Sequence, residues 1–295
     1  MRIMAKLSII ILSYNTKEIT LSCLQSLYQA LRNNKNYQVI VVDNASCDGS
    51  KVMLRHFKEQ HQDLILLCNQ TNLGFTKANN QALKATDADY VLFLNSDVMV
   101  KELDFGEILK YLDNHQNIGL LTIKLLLPSG QIDPASHRGF PNLLNSFCYF
   151  SKLEKLFADI PPLNRLFGGY HLSYLDLNQI HEIDSPNGAF FLTRKHILDR
   201  VGGFDEKFFM YGEDLDLAFR IKQAGFRVIY YPLQQAIHLK YTSGLQQEDE
   251  STRKKIKSHF YEAMKIFYKK HYETKYSLIC NKLIYFFIDL LYKFS

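Results

Sequence analysis

The sequence predicts an α/β protein: a doubly wound, mostly parallel sheet flanked by helices, with a C-terminal helical extension. Three observations predict it. Strand-like and helix-like stretches alternate through the N-terminal third of the chain. The strand-like stretches are apolar on both faces, as strands buried inside a parallel sheet are. Two polar clusters, Asp43-Asn44-Ala45-Ser46 and Asn95-Ser96-Asp97, stand just past the carboxyl ends of such stretches, where open α/β sheets bind ligands.

The elements follow in order. Residues 6–13 read as a buried first strand. Residues 16–31 carry Ile19, Cys23, Leu24, Leu27 and Leu31 at helical spacing. A strand over 37–42 ends at Asp43, and Asp48-Gly49-Ser50 opens a helix reaching about His61. Residues 63–68 form a third strand, 76–85 a helix, and 90–94 a fourth strand ending at Asn95. Beyond residue 118 the pattern is irregular. Strands are expected over 119–127, 188–193 and 227–230, with helices over 195–201 and 213–224. Gly225 serves as the cap of the last helix. Residues 140–177 are aromatic-rich and broken by Pro141, Pro161, Pro162, Gly168 and Gly169. The expected organisation is one domain over 1–244 and a basic, amphipathic helical segment over 245–295.

A chain of 295 residues with ordinary apolar content can bury a sizeable core. The net charge of +5 is mild and the acidic residues are dispersed, so nucleic acid is not an expected partner. An anionic small molecule or membrane surface suits that charge at least as well. The cysteines Cys23, Cys47, Cys68, Cys148 and Cys280 are odd in number and form no C-x-x-C pair, which argues against a disulfide framework or zinc site and for a reducing compartment. The start, Met1-Arg2-Ile3-Met4-Ala5-Lys6 followed by a short apolar run, ends at Ser13-Tyr14-Asn15 without a small-residue cleavage site; it reads as a strand and not a leader.

Several residues carry candidate chemistry. A carboxylate such as Asp43 at a strand end can accept from a base N–H or from ribose hydroxyls; it can equally be a turn residue. Asp48 reads as a helix cap. In Asn72-Leu73-Gly74-Phe75, Gly74 permits close approach, and Asn79 and Asn80 offer amides; a plain loop and helix start is the alternative. Asn95 and Asp97 place two oxygen donors two residues apart, a pattern suited to Mg²⁺ or Mn²⁺ bridging a carboxylate and phosphates. Glu213, Asp214 and Asp216 crowd a helix start, where the helix dipole favours negative charge and keeps a general base ionised. His238 becomes a metal ligand only if the fold brings it beside Asp97.

Taken in order, Ile11-Leu12-Ser13-Tyr14-Asn15, Val42-Asp43-Asn44-Ala45-Ser46, Asn72-Leu73-Gly74-Phe75, Leu94-Asn95-Ser96-Asp97 and Gly203-Phe204-Asp205-Glu206 through Glu213-Asp214-Leu215-Asp216-Leu217 resemble the family 2 glycosyltransferases of the GT-A fold, which is Rossmann-like, and especially their rhamnosyltransferase-like bacterial branch. The resemblance covers about residues 6–244. It implies an inverting enzyme that moves a sugar from a nucleotide-diphosphate sugar to a hydroxyl of a glycan or lipid-linked acceptor in cell-surface polysaccharide synthesis. Tyr14 and Asp43 would contact the nucleoside, with Leu12, Ser13, Asn15, Asn72, Gly74, Asn79, Asn95 and Ser96 lining the donor. Asp97 would hold Mg²⁺ or Mn²⁺, helped by Asn95 and His238. Asp214 would be the base, with Asn187, Gly188, Tyr211 and Glu213 on the acceptor side. Asn95 departs from the stricter D-x-D, and Ser185 and Pro186 stand where relatives carry an aromatic. A nucleotidyltransferase on a similar sheet and a non-catalytic sugar-nucleotide-binding relative are the alternatives.

Basic residues from Arg253 to Lys275 interleave with aromatics, and an apolar run over 278–291 is too short and too charged to span a bilayer. It reads as an amphipathic helix on an anionic membrane, with packing on the domain or in a homodimer as the alternative. The expected location is cytoplasmic, at the inner face of the cell membrane.

Overall fold

The computed structural model describes residues 5–34, 36–240 and 250–294. Met1 to Met4, and the expected domain boundary at 244/245, lie outside the described residues. The chain runs β1 (Leu7–Ser13), α1 (Lys17–Leu31), β2 (Tyr37–Asp43), α2 (Ser50–Gln60), β3 (Leu64–Cys68), α3 (Phe75–Leu83) and β4 (Tyr90–Asn95). It continues β5 (Val98–Met99), α4 (Phe105–Asn114), β6 (Ile118–Leu126), α5 (Leu143–Phe150), α6 (Leu153–Leu156), α7 (Pro161–Phe167), β7 (His181–Glu182), β8 (Phe190–Arg194), α8 (Lys195–Val201), α9 (Glu213–Gln223), β9 (Arg227–His238), α10 (Glu250–His271) and α11 (Leu278–Phe294).

The sheet order is β3-β2-β1-β4-β8-β6-β9-β5, with β7 also on β9. The first four strands pair in parallel. β8 then runs antiparallel to both β4 and β6, while β6 and β9 return to parallel pairing. The parallel half matches the expectation from uninterrupted apolar strands: Ile9, Ile10, Ile11, Val39, Ile40, Val41 and Leu92 are all fully buried, divided between the clusters on the two sheet faces.

Two differences from the sequence reading matter for the site. The last strand was expected over 227–230, yet β9 continues past Pro232 to His238. A register shift makes this compatible with proline: Ile123 faces Tyr231, but the next residue, Lys124, faces Gln235. The intervening residues bulge, so Pro232 need not donate to the ladder. The second difference is residues 143–167, which form the three short helices α5 to α7. Pro161 there opens α7, where its missing N–H is harmless. α4 lies in a stretch for which the sequence suggested no element; its cap is Asp104, which accepts from Glu107 N at 3.1 Å.

The C-terminal helices pack on this body. Ala263, Phe267, Tyr268 and Tyr272 form an apolar cluster with Phe208, Leu215 and Phe219. Asp216, fully buried, ties α10 to α9: Oδ1 meets Lys270 Nζ at 2.8 Å and His271 Nε2 at 2.7 Å, and Oδ2 accepts from Arg220 Nε at 2.8 Å. α11 folds back on α10, with Tyr292 ring-to-ring with Tyr261 at 5.6 Å. Among the described residues no helix is long and apolar enough to cross a membrane.

Candidate active site

The carboxyl ends of β1, β2 and β4 lie side by side. Ser13 is in register with Asp43, and Leu12 with Asn95. Asp43 is wholly buried; Oδ2 accepts from Ser46 N at 3.3 Å, and Oδ1 has no hydrogen-bond partner among the described residues. A buried carboxylate oxygen left unpaired is costly unless a ligand donor completes it. Tyr14, nearly half exposed, sits on the adjoining loop. Asn15 adopts a left-handed backbone (φ 53°) and braces that loop: its N–H donates to Ser46 Oγ at 3.0 Å, and its Oδ1 accepts from Cys47 N at 2.8 Å. Leu12 is partly buried. The Ser13 hydroxyl turns inward to Thr20 Oγ1 at 3.1 Å.

The next group of sequence candidates supports the loop from within. Asn72 Oδ1 accepts from Asn44 Nδ2 at 2.8 Å and from Gly74 N at 2.9 Å. Gly74 has φ +80°, and a Cβ there would stand 2.7 Å from Phe209, so its need for glycine comes from packing against the 204–211 loop. Asn79 is buried and donates to Phe75 O one turn back at 2.9 Å.

The metal candidates converge. β5 pairs antiparallel with β9, Val98 opposite His238, and Leu239 N donates to Asp97 O at 2.9 Å. This brings His238 Nε2 to 3.4 Å from Asp97 Oδ1, a buried oxygen without a hydrogen-bond partner among the described residues. Asn95 and Ser96 are partly buried on the same turn. On its far side His238 Nδ1 meets Asp133 Oδ2 at 2.9 Å. Burial works against the imidazolium, but the hydrogen bond to Asp133 and the nearby Asp97 outweigh it and push His238 up to about 9. The donor set suits a hard divalent cation whose remaining positions are filled by phosphate oxygens and water. Among the described residues no group of three or more His, Cys, Asp or Glu forms a cage, so any ion here depends on such outside oxygens.

The base candidate lies at the start of α9. The left-handed residues Tyr211 (φ 69°) and Gly212 (φ 74°) turn the chain into α9. Glu213 and Asp214 are both buried in its first turn. Asp214 Oδ1 accepts from Leu215 N at 2.7 Å, and Oδ2 accepts from Arg138 Nη2 at 2.6 Å. Burial opposes the Arg138 charge, but Asp214 and Tyr170 overcome it and raise Arg138 further. Glu213 is pushed up by burial and then by the Asp214 charge, and its Oε2 is buried without a hydrogen-bond partner among the described residues. Gly188 lies against Phe75, a Cβ there meeting the ring at 3.5 Å. The 185–189 segment links the two halves: Pro186 O accepts from Arg138 Nη2 at 2.8 Å, and Asn187 Nδ2 donates to Asp133 Oδ2 at 3.0 Å.

Sequence reasoning missed Arg138, Asp133 and Lys240. Each is an isolated charged residue outside the quoted motifs, joined to the site only through tertiary contacts.

The family model described as glycosyl transferase family 2 matches residues 8–162, just over half of the chain. The chain belongs to glycosyl transferase family 2. A second model, glycosyl transferase family group 2, matches residues 136–291 and so runs into α11. The family 2 chain is 29% identical over 238 residues to rhamnosyltransferase WbbL of Escherichia coli, covering 78% of this chain and 82% of the relative. It is 26% identical over 222 residues to an N-acetylglucosaminyl-diphospho-decaprenol L-rhamnosyltransferase of Mycobacterium tuberculosis, covering 72% and 69%. In fold it is similar to mannosyltransferase PcManGT from Pyrobaculum calidifontis, solved in complex with GDP-Man and Mn²⁺ (TM-score 0.57, 18% identity, 88% of this chain and 63% of that one). It is likewise similar to S. aureus TarS 1–349 in complex with UDP-GlcNAc (TM-score 0.59, 18% identity, 95% and 70%). The chain is a glycosyltransferase with the GT-A fold.

Proposed function

We propose that this enzyme transfers a hexosyl or rhamnosyl group, with inversion, from a nucleotide-diphosphate sugar to a hydroxyl of a glycan or lipid-linked saccharide during cell-surface polysaccharide synthesis. The observation that carries the reading is a group at the carboxyl end of the sheet: carboxylate oxygens on Asp43 and on Asp97, beside His238, that lack a hydrogen-bond partner among the described residues, and Asp214 joined to them through Arg138 and the 185–189 segment. The rhamnosyltransferase names of the relatives support the sugar class, and the decaprenol-linked acceptor of one supports the acceptor class.

Asp43 would receive a donor hydrogen of the nucleoside, with Tyr14 beside it. Asp97 and His238, with Asn95, would hold Mg²⁺ or Mn²⁺; when bound, such an ion neutralises charge growing on the departing diphosphate. Asp214 would accept the acceptor proton as its oxygen attacks the anomeric carbon. Asp214 acting as the base fits a single displacement, hence inversion. Arg138 keeps Asp214 oriented toward the 185–189 segment, and Tyr211, Glu213, Asn187 and Gly188 would border the acceptor. Nucleoside diphosphate release from a panel of nucleotide sugars, with Mn²⁺ or Mg²⁺ and a prenyl-diphospho-saccharide, tests this. The expected result is metal-dependent release stimulated by acceptor; pyrophosphate release, or none with any donor, contradicts it.

The membrane partner rests on α11. Its inner face packs on α10, while Ile279, Leu283, Phe286, Phe287, Leu290 and Phe294 form an exposed stripe at helical spacing. Lys282 and Lys293 flank that stripe, and Asp289 is paired with Lys265. An apolar face with a basic border suits an anionic bilayer surface, with the helix lying in its plane. The free cysteines fit a cytoplasmic location at the inner face. Vesicle flotation of the full chain is expected on anionic and not on neutral lipid, and to be lost in Phe286→Asp/Phe287→Asp. Unchanged flotation contradicts the reading. A parental homodimer that this variant dissociates, without flotation, would make the face a dimer contact instead.

A further inference from the structure

We propose that Asp133 is the positioning carboxylate of the metal site, holding His238 so that Nε2 faces Asp97. This rests on the metal reading given above. Asp133 is wholly buried just after β6, in the turn that leads to the short 3-10 helix Pro134–Ser136.

Each of its oxygens is engaged twice. Oδ1 accepts from Ala135 N at 3.0 Å and Lys240 Nζ at 2.7 Å. Oδ2 accepts from Asn187 Nδ2 at 3.0 Å and His238 Nδ1 at 2.9 Å. A carboxylate offers about four lone-pair sites, so Asp133 is saturated and has none left for a cation. Asp97 is the reverse case, since its Oδ1 is buried and lacks a hydrogen bond among the described residues. The two acidic residues around His238 therefore divide the work. Asp97 offers an oxygen, and Asp133 orients the imidazole from behind.

The division has a chemical consequence. A histidine presents a lone pair on one ring nitrogen only when the other carries the proton. When a cation displaces the Nε2 proton, the hydrogen bond to Asp133 keeps the remaining proton on Nδ1 and leaves Nε2 as the ligating atom. Carboxylates that hold the second nitrogen of a ligand histidine in this way fix its ring orientation and raise its basicity. Asp133 also draws Lys240 and Asn187 to the same point, so the end of β9 and the acceptor-side 185–189 segment share one anchor.

Titrating the full-length protein with Mn²⁺ and counting free ion by electron paramagnetic resonance tests the assignment. The parent is expected to bind Mn²⁺, and Asp133→Asn to bind it about 10- to 100-fold more weakly. Lys240→Met, which removes a different partner of Asp133, should stay within about threefold of the parent, well short of a lost orienting carboxylate. Equal Mn²⁺ affinity in the parent and a folded Asp133→Asn overturns the proposal. A parent that binds no Mn²⁺, with or without a nucleoside diphosphate, instead overturns the metal reading beneath it. Nitrogen NMR of the His238 ring in the Mg²⁺-loaded parent gives a measure independent of any variant's folding. A protonated Nδ1 with a bare Nε2 supports the proposal; the opposite tautomer overturns it.

Discussion

Two neighbouring carboxylates at the start of α9 have opposite surroundings. Asp214 has Arg138 and a backbone N–H; Glu213 has burial and the Asp214 charge against it. Because folding raises the Glu213 pKa, its neutral form is favoured in the folded protein. Stability is then full below the ordinary glutamate range and declines as pH rises through the raised value. Glu213→Gln should accordingly stabilise the protein more at about pH 8 than at about pH 5, read as the change in Tm relative to parent. A Tm difference that is the same at both pH values contradicts the assignment. Arg138→Gln leaves the buried Asp214 charge without its partner, a loss of about 3 kcal/mol in denaturant unfolding. A loss under about 1 kcal/mol would mean that solvent reaches the pair. Asp214 stood out in the sequence because it lies in the Glu213-Asp214-Leu215-Asp216-Leu217 motif that resembles family 2, at a helix start that keeps a carboxylate ionised. Arg138 was not, because a single arginine in an irregular stretch carries no local signal.

At the level of elements, the long β9 and the α9–α10 clamp shape the molecule. The strand runs well past the expected 227–230; the bulge after Tyr231 that carries it past Pro232 is a tertiary solution that local propensity cannot reveal. Its continuation is what delivers His238 to Asp97. Asp216, which the sequence offered only as a dipole partner, is the contact between α9 and α10. Although burial opposes it, His271, Arg220 and Lys270 lower its pKa from 3.8 to about 2. A depressed carboxylate contributes stability that is present above the unfolded value and lost as pH falls through the folded one. The parent should therefore lose about 2 kcal/mol between about pH 5 and pH 2 that Asp216→Asn does not lose, measured by urea unfolding. Parallel acid profiles would contradict the clamp.

Across the whole molecule, the parallel half of the sheet was readable from strand composition, because residues buried on both faces must be apolar. The strands over 119–127, 188–193 and 227–230 were readable as elements in the mixed half, but their order and direction were not, because β8 and β6 are set by pairing partners distant in sequence. The site combines both halves. Asp43 and Asp97 lie at or beyond the ends of the parallel strands, and Asp214, His238 and Asp133 come from the later chain. The most direct measurement of this assembly pairs sugar transfer with donor binding in Asp214→Asn. Donor affinity, by calorimetry with Mn²⁺, should match the parent, while transfer to the acceptor hydroxyl falls by about 10³-fold or more. Transfer at the parental rate would show that Asp214 is not the base.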